Sequence, residues 1–238
     1  MRLVAVLDVR FKYASARRPW RLVARVEPQL LTRRATKLCE NCGLSMFQLA
    51  VAPEIEIRQW TLDDADACFE VVARNRASLR EWLPWVDATH TAEDTRRYIR
   101  TVAIPQYEAN QGPNCGVWVA GNLAGSIGCH PIDWANRTCS IGYWLDAGVR
   151  SRGVMTRCCA ALLAYLFEEL KLHRVSIRCA TGNTRSCAIP QRLGFRREGL
   201  ELEAEWVAGR WLDLVDWAIL EDEWRRSVAG SPQSPDQG

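Results

Sequence analysis

The stretch that most constrains the fold of this chain is a polar-apolar strand, a short basic loop and an apolar helix in direct succession. The strand pattern covers residues 138–145, the loop 146–153 and the helix pattern 154–170. A helix that begins directly behind such a loop directs backbone N–H groups and the positive end of its dipole toward it. Arg150 and Arg152 add charge. The stretch therefore predicts an anion site, with phosphate as the expected anion.

The glycine spacing of the loop excludes two common phosphate sites. A dinucleotide fingerprint needs G-x-G-x-x-G and a P-loop needs G-x-x-x-x-G-K-[ST], and neither occurs here. The loop instead reads Arg150-x-x-Gly153-x-Met155. This pattern resembles the [Q/R]-x-x-G-x-[G/A] loop that cradles the coenzyme A pyrophosphate in GCN5-related N-acetyltransferases (the GNAT family). By itself, the pattern also fits a turn that caps a helix.

Charge is distributed unevenly along the 238 residues. Residues 1–45 carry ten Lys/Arg and three Asp/Glu, a balance of +7, whereas the remainder carries 21 basic and 25 acidic residues, a balance of −4. The mildly acidic body gives no reason to expect nucleic-acid binding. No apolar run reaches the roughly 18 residues of a membrane span, so no membrane partner is expected.

The ten cysteines do not follow a disulfide pattern. Five of them fall at apolar or small-residue positions of predicted helices and strands, namely Cys68, Cys158, Cys159, Cys179 and Cys187. The first residues also lack the pattern of a secretory signal peptide. We therefore expect reduced thiols and a cytoplasmic protein.

Three segments are predicted. Residues 1–45 are Arg-rich and acid-poor and are interpreted as a disordered basic extension, an organelle transit segment, or sequence translated upstream of the true start; a start at Met46 is favoured. Cys39-x-x-Cys42 offers only two of the four ligands of a closed zinc site, so no zinc is expected. Residues 46–229 form the predicted domain. Residues 230–238 are rich in Ser, Pro, Gln and Gly and are predicted to be disordered.

Within the domain, periodicity predicts the order β-α-α-β-β-β-α-β-α-β-β. Thr61 and Thr91 each begin a predicted helix, and Gly121-Asn122 is predicted as a hairpin turn. The predicted strands cover 55–60, 115–120, 123–131, 138–145, 174–180, 200–207 and 211–220, and the helices 61–77, 91–110, 154–170 and 186–193. The fold class is therefore α/β, with one mixed sheet and helices on both faces.

Further motifs in the same order strengthen the resemblance. Residues 183–195 resemble the N-x-x-S-x-x-[VI]-x-[EQ]-[KR]-x-G-F segment of acetyltransferases, and 141–145 resemble their EIGYWL strand, with Ser140 where Glu is usual. Residues 75–85 and 93–95 resemble the RimJ/RimL branch, the ribosomal-protein N-terminal acetyltransferases. The resemblance covers about 54–224. It implies a GNAT fold with a splayed central sheet and acetyl-CoA as co-substrate.

The resemblance also implies which residues contact the coenzyme. They are Leu145, Arg150, Ser151, Arg152, Gly153, Val154, Met155, Thr156, Asn183 and Ser186. The N–H near Leu145 would stabilise the oxyanion of the tetrahedral intermediate, in a gap between this strand and the one that begins at Arg174. A closed sheet without a gap is the alternative.

Two residues are implied as catalytic. Ser186, otherwise a surface serine behind the helix cap Asn183, matches the serine that protonates the coenzyme A thiolate. Glu205 matches the proposed general base; binding the cationic acceptor without accepting its proton is the alternative role. The three odd positions in 201–206, Glu201, Glu203 and Glu205, are predicted to share one face of a strand. Two of these three glutamates are expected to be solvated. Tyr143 is an alternative acid, although a mid-strand tyrosine is expected to pack.

Other residues with chemical potential are interpreted structurally. Four tryptophans are expected mostly in the core, with some walling the acceptor pocket, namely Trp82, Trp85, Trp206 and Trp211. Three histidines lack paired spacing, so no metal site is expected; they are His90, His130 and His173.

The predicted enzyme transfers acetyl from acetyl-CoA directly to a primary amine, and the RimJ/RimL resemblance favours a protein N-terminal α-amine. Two alternatives remain open. One is an acetyltransferase of a small-molecule amine such as an antibiotic, a nucleotide-peptide or a polyamine. The other is a non-catalytic acyl-CoA-binding regulator, for which the departures at Ser140 and Gln191 leave room. The chain is expected to be a monomer or a homodimer.

Overall fold

The computed structural model describes residues 37–38 and 45–229. Apart from a two-residue pairing of 37–38 with 45–46, their strands form one eight-stranded sheet. The strands are β1 (Gln48–Ala52), β2 (Ile55–Gln59), β3 (Asn114–Val119), β4 (Asn122–Cys129), β5 (Thr138–Leu145), β6 (Arg174–Ala180), β7 (Arg196–Val207) and β8 (Arg210–Leu220). Their order in the sheet is β1-β2-β3-β4-β5-β6-β8-β7, and only β5 and β6 pair in parallel.

Six α-helices in this part of the chain accompany the sheet. They are α1 (Ala65–Arg80), α2 (Ala92–Tyr98), α3 (Ile104–Glu108), α4 (Val154–Ala164), α5 (Thr184–Arg192) and α6 (Glu221–Ala229). A π-helical turn, Ile99–Ala103, joins α2 to α3, and another, Tyr165–Glu169, extends α4. The predicted mixed α/β sheet is confirmed. The prediction missed β1, which pairs with β2 ahead of the expected first strand, and it missed α6.

The larger core lies between one face of the sheet and α4. Ile141 of β5 and Ile177 of β6 are buried there against Leu162 of α4. The ring of Phe167, 5.3 Å from that of Trp224, adds α6 to the same face. Burying such side chains stabilises the fold by about 1.5–3 kcal/mol each, so this face fixes the sheet against α4.

The opposite face is covered over only part of its width. Val72 of α1 and Ile99 pack there with Trp60, which directly follows β2, and with Leu123 of β4. Both strands belong to the first half of the sheet. Among the described residues, no helix core covers β6, β8 and β7 on this side, apart from a small cluster of four buried residues beneath Trp82. Arg178 of β6 is accordingly exposed. The second half of the sheet therefore presents an open face.

The sheet splits between its two parallel strands. β5 and β6 pair only at Thr138 with Arg174, at residue 139 with 175, and at Ser140 with Ser176. Beyond that point β5 stays paired with β4 as far as Leu145, while β6 stays paired with β8 as far as Ala180. The gap predicted between these strands is confirmed, and the closed sheet is excluded. We call this gap the wedge.

The predictions of a helix cap and a hairpin turn had different outcomes. The capping box at Thr91 is present, because Asp94 N–H donates to the Thr91 hydroxyl over 3.2 Å and Thr91 N–H returns a 2.9 Å hydrogen bond. The first hairpin turn was misplaced by one residue. Ala120 and Gly121 have φ of 49° and 77°, so these two occupy the turn rather than Gly121-Asn122. Adjacent positive φ values are typical of a type I′ turn.

Several predictions concern residues outside this described part, namely 1–36 and 39–44 of the extension, including Cys39 and Cys42, and the tail 230–238. Within the described residues, no helix has both the length and the apolar character to cross a bilayer. No group of three metal-binding side chains occurs there either. The eight cysteines of this part are free thiols, and all but Cys187 are buried.

Candidate active site

Leu145 lies at the end of β5 with its backbone directed into the wedge. Asp146 N–H donates to Ala124 O of the neighbouring strand segment over 2.7 Å. Antiparallel pairing alternates between residues that bond the neighbour and residues that point away. Since Leu145 lies one residue before Asp146, its N–H and C=O point away from β4, toward the wedge. This is the direction that the predicted oxyanion donor requires.

The loop behind Leu145 ends in a strained turn that begins α4. Ser151 and Gly153 have φ of 63° and 71°, so the chain reverses sharply before the helix starts at Val154. The first N–H groups of a helix lack partners within it. Of the predicted coenzyme contacts, Ser151, Arg152 and Gly153 are exposed, whereas Val154, Met155 and Thr156 are buried. Of these last three, Val154 and Met155 belong to the larger core.

Arg150 has a structural role that its position in the motif did not indicate. Its guanidinium donates to Leu145 O over 3.2 Å and to the Ser78 hydroxyl over 3.0 Å. Burial, together with the nearby charge of Arg185, lowers the pKa of Arg150. Arg150 thus fastens the loop to β5 and α1, while the exposed Arg152 and Arg185 remain at the surface as positive charges.

Arg157 is a residue that sequence reasoning missed. It lies in the first turn of α4 and donates to Arg152 O over 3.2 Å, while its Nε is buried without a partner among the described residues. The sequence spacing could have indicated Arg157, because it follows Gly153 by four residues. A helix places residues with this spacing on the same side, so Arg157 is expected beside the loop. Arg157 therefore joins the two loop arginines, Arg150 and Arg152, as a third positive charge at the start of α4.

Ser186 is fixed by its cap and by two polar side chains. Asn183 Oδ1 accepts from Ser186 N–H over 3.1 Å, which confirms Asn183 as the cap of α5. The Ser186 hydroxyl lies 3.2 Å from Cys179 Sγ and 3.4 Å from Tyr143 Oη. The Tyr143 hydroxyl donates to Ser186 O over 3.1 Å. Tyr143 therefore packs, as expected, but it also touches the candidate acid.

Burial dominates the electrostatics around Ser186. It raises the pKa of Tyr143 well above its ordinary value, and it raises the pKa of the Cys179 thiol to about 12. Both groups are consequently neutral at physiological pH and able to donate or relay a hydrogen bond. The arrangement suits a group that hands a proton to a departing thiolate.

Glu205 lies on the other face of the sheet. It pairs with Leu212, which clusters with Ala180 on the side opposite Cys179. Ser186 contacts Cys179, so the two predicted catalytic residues lie on opposite faces of the sheet, with Glu205 on the edge strand β7, which β8 separates from β6. No side chain of the described residues pairs with the Glu205 carboxylate, which remains free to accept a proton.

The alternation predicted for 201–206 is interrupted. Glu203 has φ of 47° and donates its N–H to Asp213 Oδ1 over 2.8 Å, at a bulge where the register with β8 shifts. Glu201 and Glu205 still share a face, because they pair with Leu214 and Leu212. Of these carboxylates, Glu201 forms an ion pair with Arg178.

The tryptophans are more exposed than expected. Trp206 and Trp211 meet edge to face with ring centres 5.1 Å apart and remain 53% and 54% exposed, so neither lies in the core in which most of the four tryptophans were expected. Trp82 packs near Gly182 and lies beneath the Arg210 guanidinium. It walls an open cleft of about 560 Å³ lined by Ala77, Arg80, Glu81, Trp82, Ala208 and Arg210.

Residues 54–196 match the model of the family described as an acetyltransferase (GNAT) domain, which is more than half of the chain. The chain belongs to the GNAT family. Over 179 residues it is 36% identical to YdaF of Bacillus subtilis (strain 168), which carries the provisional name ribosomal N-acetyltransferase; the match covers 75% of this chain and 98% of YdaF.

Two further comparisons agree on this GNAT assignment. The ribosomal-protein-serine acetyltransferase of Escherichia coli (strain K12) is 24% identical over 174 residues, 73% of this chain and 97% of that protein. The solved structure of RimL, a ribosomal L7/L12 α-N-protein acetyltransferase in complex with coenzyme A, has a TM-score of 0.70 and 25% identity. It covers 73% of this chain and 98% of RimL.

These comparisons confirm three predictions: the RimJ/RimL-like resemblance, the GNAT fold and the activity of an acetyl-CoA-dependent N-acetyltransferase. The donors along the wedge and at the start of α4 suit a coenzyme that combines an amide-bearing arm with a pyrophosphate. The individual roles of Ser186, Glu205 and the loop residues stay predictions.

Proposed function

We propose that this GNAT enzyme acetylates the N-terminal α-amine of a protein, and that ribosomal proteins are its acceptor class. The observation that carries the proposal is the face of β6, β8 and β7, which the described helices leave uncovered outside the small cluster beneath Trp82. A protein terminus has to reach the wedge together with the chain behind it, and an open face accommodates that chain. The names of YdaF and RimL support the same class of acceptor.

Glu205 acts on the acceptor side of the wedge. A free α-amine has a pKa near 7.7–8.0 and is largely protonated at neutral pH. The Glu205 carboxylate attracts this cation and accepts its proton, directly or through a water, which leaves a neutral amine to attack the thioester carbonyl. The absence of a competing cation beside Glu205 among the described residues supports this role.

Leu145 and Ser186 act on the coenzyme side. Attack turns the thioester carbonyl oxygen into an oxyanion, and the Leu145 N–H donates to it. The intermediate collapses, the carbon–sulfur bond breaks, and the Ser186 hydroxyl gives its proton to the departing thiolate. Ser186 then recovers a proton from water and Glu205 releases its proton to water, so the protons of the reaction balance. No acyl-enzyme is required, since one amine attacks one thioester.

The test is thiol release from acetyl-CoA by the full chain, against N-terminal peptides of ribosomal proteins and a panel of small amines. We expect turnover with peptides at a kcat/KM at least about tenfold above that of any small amine. Peptides with an N-terminally blocked residue and a free lysine serve as the matched control and should not react. Turnover of small amines alone would overturn the proposal in favour of a small-molecule acetyltransferase.

A further inference from the structure

Helix α1 contacts the loop behind β5 through one buried amide. Asn75 is only 5% exposed, although asparagine is a polar residue in the middle of a helix. Its Oδ1 accepts from Ala147 N–H over 2.9 Å, and its Nδ2 donates to Val71 O over 2.8 Å. Each end of the amide therefore has a partner of the correct polarity, which holds the side chain in one orientation.

Two neighbours of Asn75 hold the same loop. Arg74 Nε donates to Asp146 Oδ2 over 2.8 Å, while Asp146 Oδ1 accepts from Gly148 N–H over 2.9 Å. One turn further along α1, Ser78 receives the hydrogen bond from Arg150. We call Arg74, Asn75 and Ser78 the α1 clamp.

The charge state of the clamp is stable at neutral pH. Burial alone would raise the pKa of Asp146, but hydrogen bonds from Gly148 N–H, Arg74 and Asn75 outweigh it and the net shift is downward. Asp146 is therefore ionised at any pH at which the enzyme is expected to work.

The clamp holds the backbone between the wedge and the start of α4. Ala147, which Asn75 binds, lies two residues beyond Leu145 and six residues before Gly153. Backbone donors contribute to binding and catalysis only when they are already in place, and a displacement of about 1 Å can reduce a rate about 10²-fold. Helix α1 lies on the sheet face opposite α4, so the loop would otherwise have no support from that side.

We propose that Asn75 is a positioning residue for this reaction, and that it acts through Ala147 N–H by holding the 146–153 loop in its coenzyme-binding conformation. The inference rests on the proposed function, because it takes this loop as the coenzyme site. Asn75 touches neither substrate itself. Its effect is on the geometry of the donors that do.

The experiment compares Asn75→Leu with Gln59→Leu in the full chain. Gln59 is a matched control, because it is also 5% exposed and its amide likewise donates to a buried backbone carbonyl, Ala103 O, over 3.1 Å, away from the loop. We expect Asn75→Leu to weaken coenzyme A binding, measured by calorimetry, by about tenfold and to raise KM for acetyl-CoA equally, with KM for the acceptor unchanged. Gln59→Leu should change neither coenzyme constant.

A loss of folded protein would lower kcat in both variants without changing KM, so the KM readout separates positioning from stability. Unchanged coenzyme binding in a folded Asn75→Leu would overturn the inference. If that variant does not fold, Arg74→Gln removes one clamp contact from a side chain that is 54% exposed, and it should weaken binding by about threefold. No weakening in Arg74→Gln would then count against the clamp.

A loop variant distinguishes failure of the inference about Asn75 from failure of the assumption, made in the proposed function, that the 146–153 loop binds the coenzyme. Gly153→Val forces a β-branched residue into φ of 71° and should abolish coenzyme A binding if the loop is the coenzyme site. Normal binding by Gly153→Val would remove the loop assignment itself. Weak binding by Gly153→Val with normal binding by Asn75→Leu would remove only the inference about Asn75.

Discussion

The two sides of the wedge are built differently. On the coenzyme side, the backbone from Leu145 to Arg150 is fastened by hydrogen bonds from β4, α1 and its own side chains. On the acceptor side, the hairpin of β7 and β8 contains a bulge at Glu203 and carries two half-exposed tryptophans beside its turn. One side is preorganised for a co-substrate of fixed structure, and the other leaves room for an acceptor carried on a protein.

The largest effects should come from the catalytic residues, one on each side. We expect Ser186→Ala and Glu205→Gln each to lower kcat by about 10²–10⁴-fold, since each removes a proton donor or acceptor from the transition state. Coenzyme A binding should change by less than about threefold in both. Thiol-release kinetics and calorimetry on the same preparations measure the two quantities.

The pH dependence separates the two sides. Glu205→Gln removes the base, so its residual rate should rise with pH as the free amine forms near its pKa of about 8. Ser186→Ala leaves the base in place and should keep the pH profile of the unaltered enzyme. Full activity in both variants would remove these residues from the mechanism, and Tyr143→Phe would then test the neighbouring hydroxyl.

The next effect concerns the rigidity of the coenzyme side. A Cβ on Gly125 would overlap the Trp144 carbonyl oxygen and lie 3.0 Å from Leu145 Cα. We therefore expect Gly125→Ala to lower the free energy of unfolding by about 3 kcal/mol, because backbone rather than a flexible side chain must move. Urea denaturation measures the change.

Gly121→Ala is the control for this substitution. Its added Cβ meets nothing within 4 Å, and only the φ of 77° opposes it, so it should cost about 1–2 kcal/mol. Equal costs in the two variants would mean that β5 shifts freely beside β4. The coenzyme side would then be no more rigid than the turn.

The sequence predicted the coenzyme side better than the acceptor side for physical reasons. The strand, loop and helix from 138 to 164 are specified by local alternation, two arginines and a glycine in φ > 0. The wedge was predicted from the resemblance to the GNAT family. By contrast, the exposure of Trp206 and Trp211 depends on β7 being the edge strand, which no local pattern in their neighbourhood specifies.

Long-range polar contacts were also beyond sequence reasoning. Asn75 and Ala147 are 72 residues apart, and a buried asparagine in a helix has no periodic signal. Strand β1 was missed because its five residues precede the first clear alternation. Helix α6 was missed because it is short and mostly polar, with Trp224 as its only buried residue.

The smallest effect tests how the open half of the sheet is held together. Arg174 on β6 donates to both oxygens of Glu198 on β7, over 2.9 and 2.6 Å. The hydrogen bond from Arg174 holds the pKa of Glu198 at about 2, with Arg196 contributing. A carboxyl whose pKa is lower in the folded state stabilises the fold above its unfolded pKa of about 4.3, and this contribution disappears as the pH falls toward 2.

We therefore expect Glu198→Gln to lower the free energy of unfolding by about 1 kcal/mol at pH 7, a value reduced for the partial exposure of the pair, and by nearly nothing near pH 2. Asp222→Asn removes an exposed pair with Arg226 within α6 and should cost less than about 0.5 kcal/mol at either pH. Urea denaturation at both pH values compares them. A pH-independent loss in Glu198→Gln would mean that packing, rather than ion pairs, holds the acceptor side, and that the two sides of the wedge are fastened by the same kind of contact.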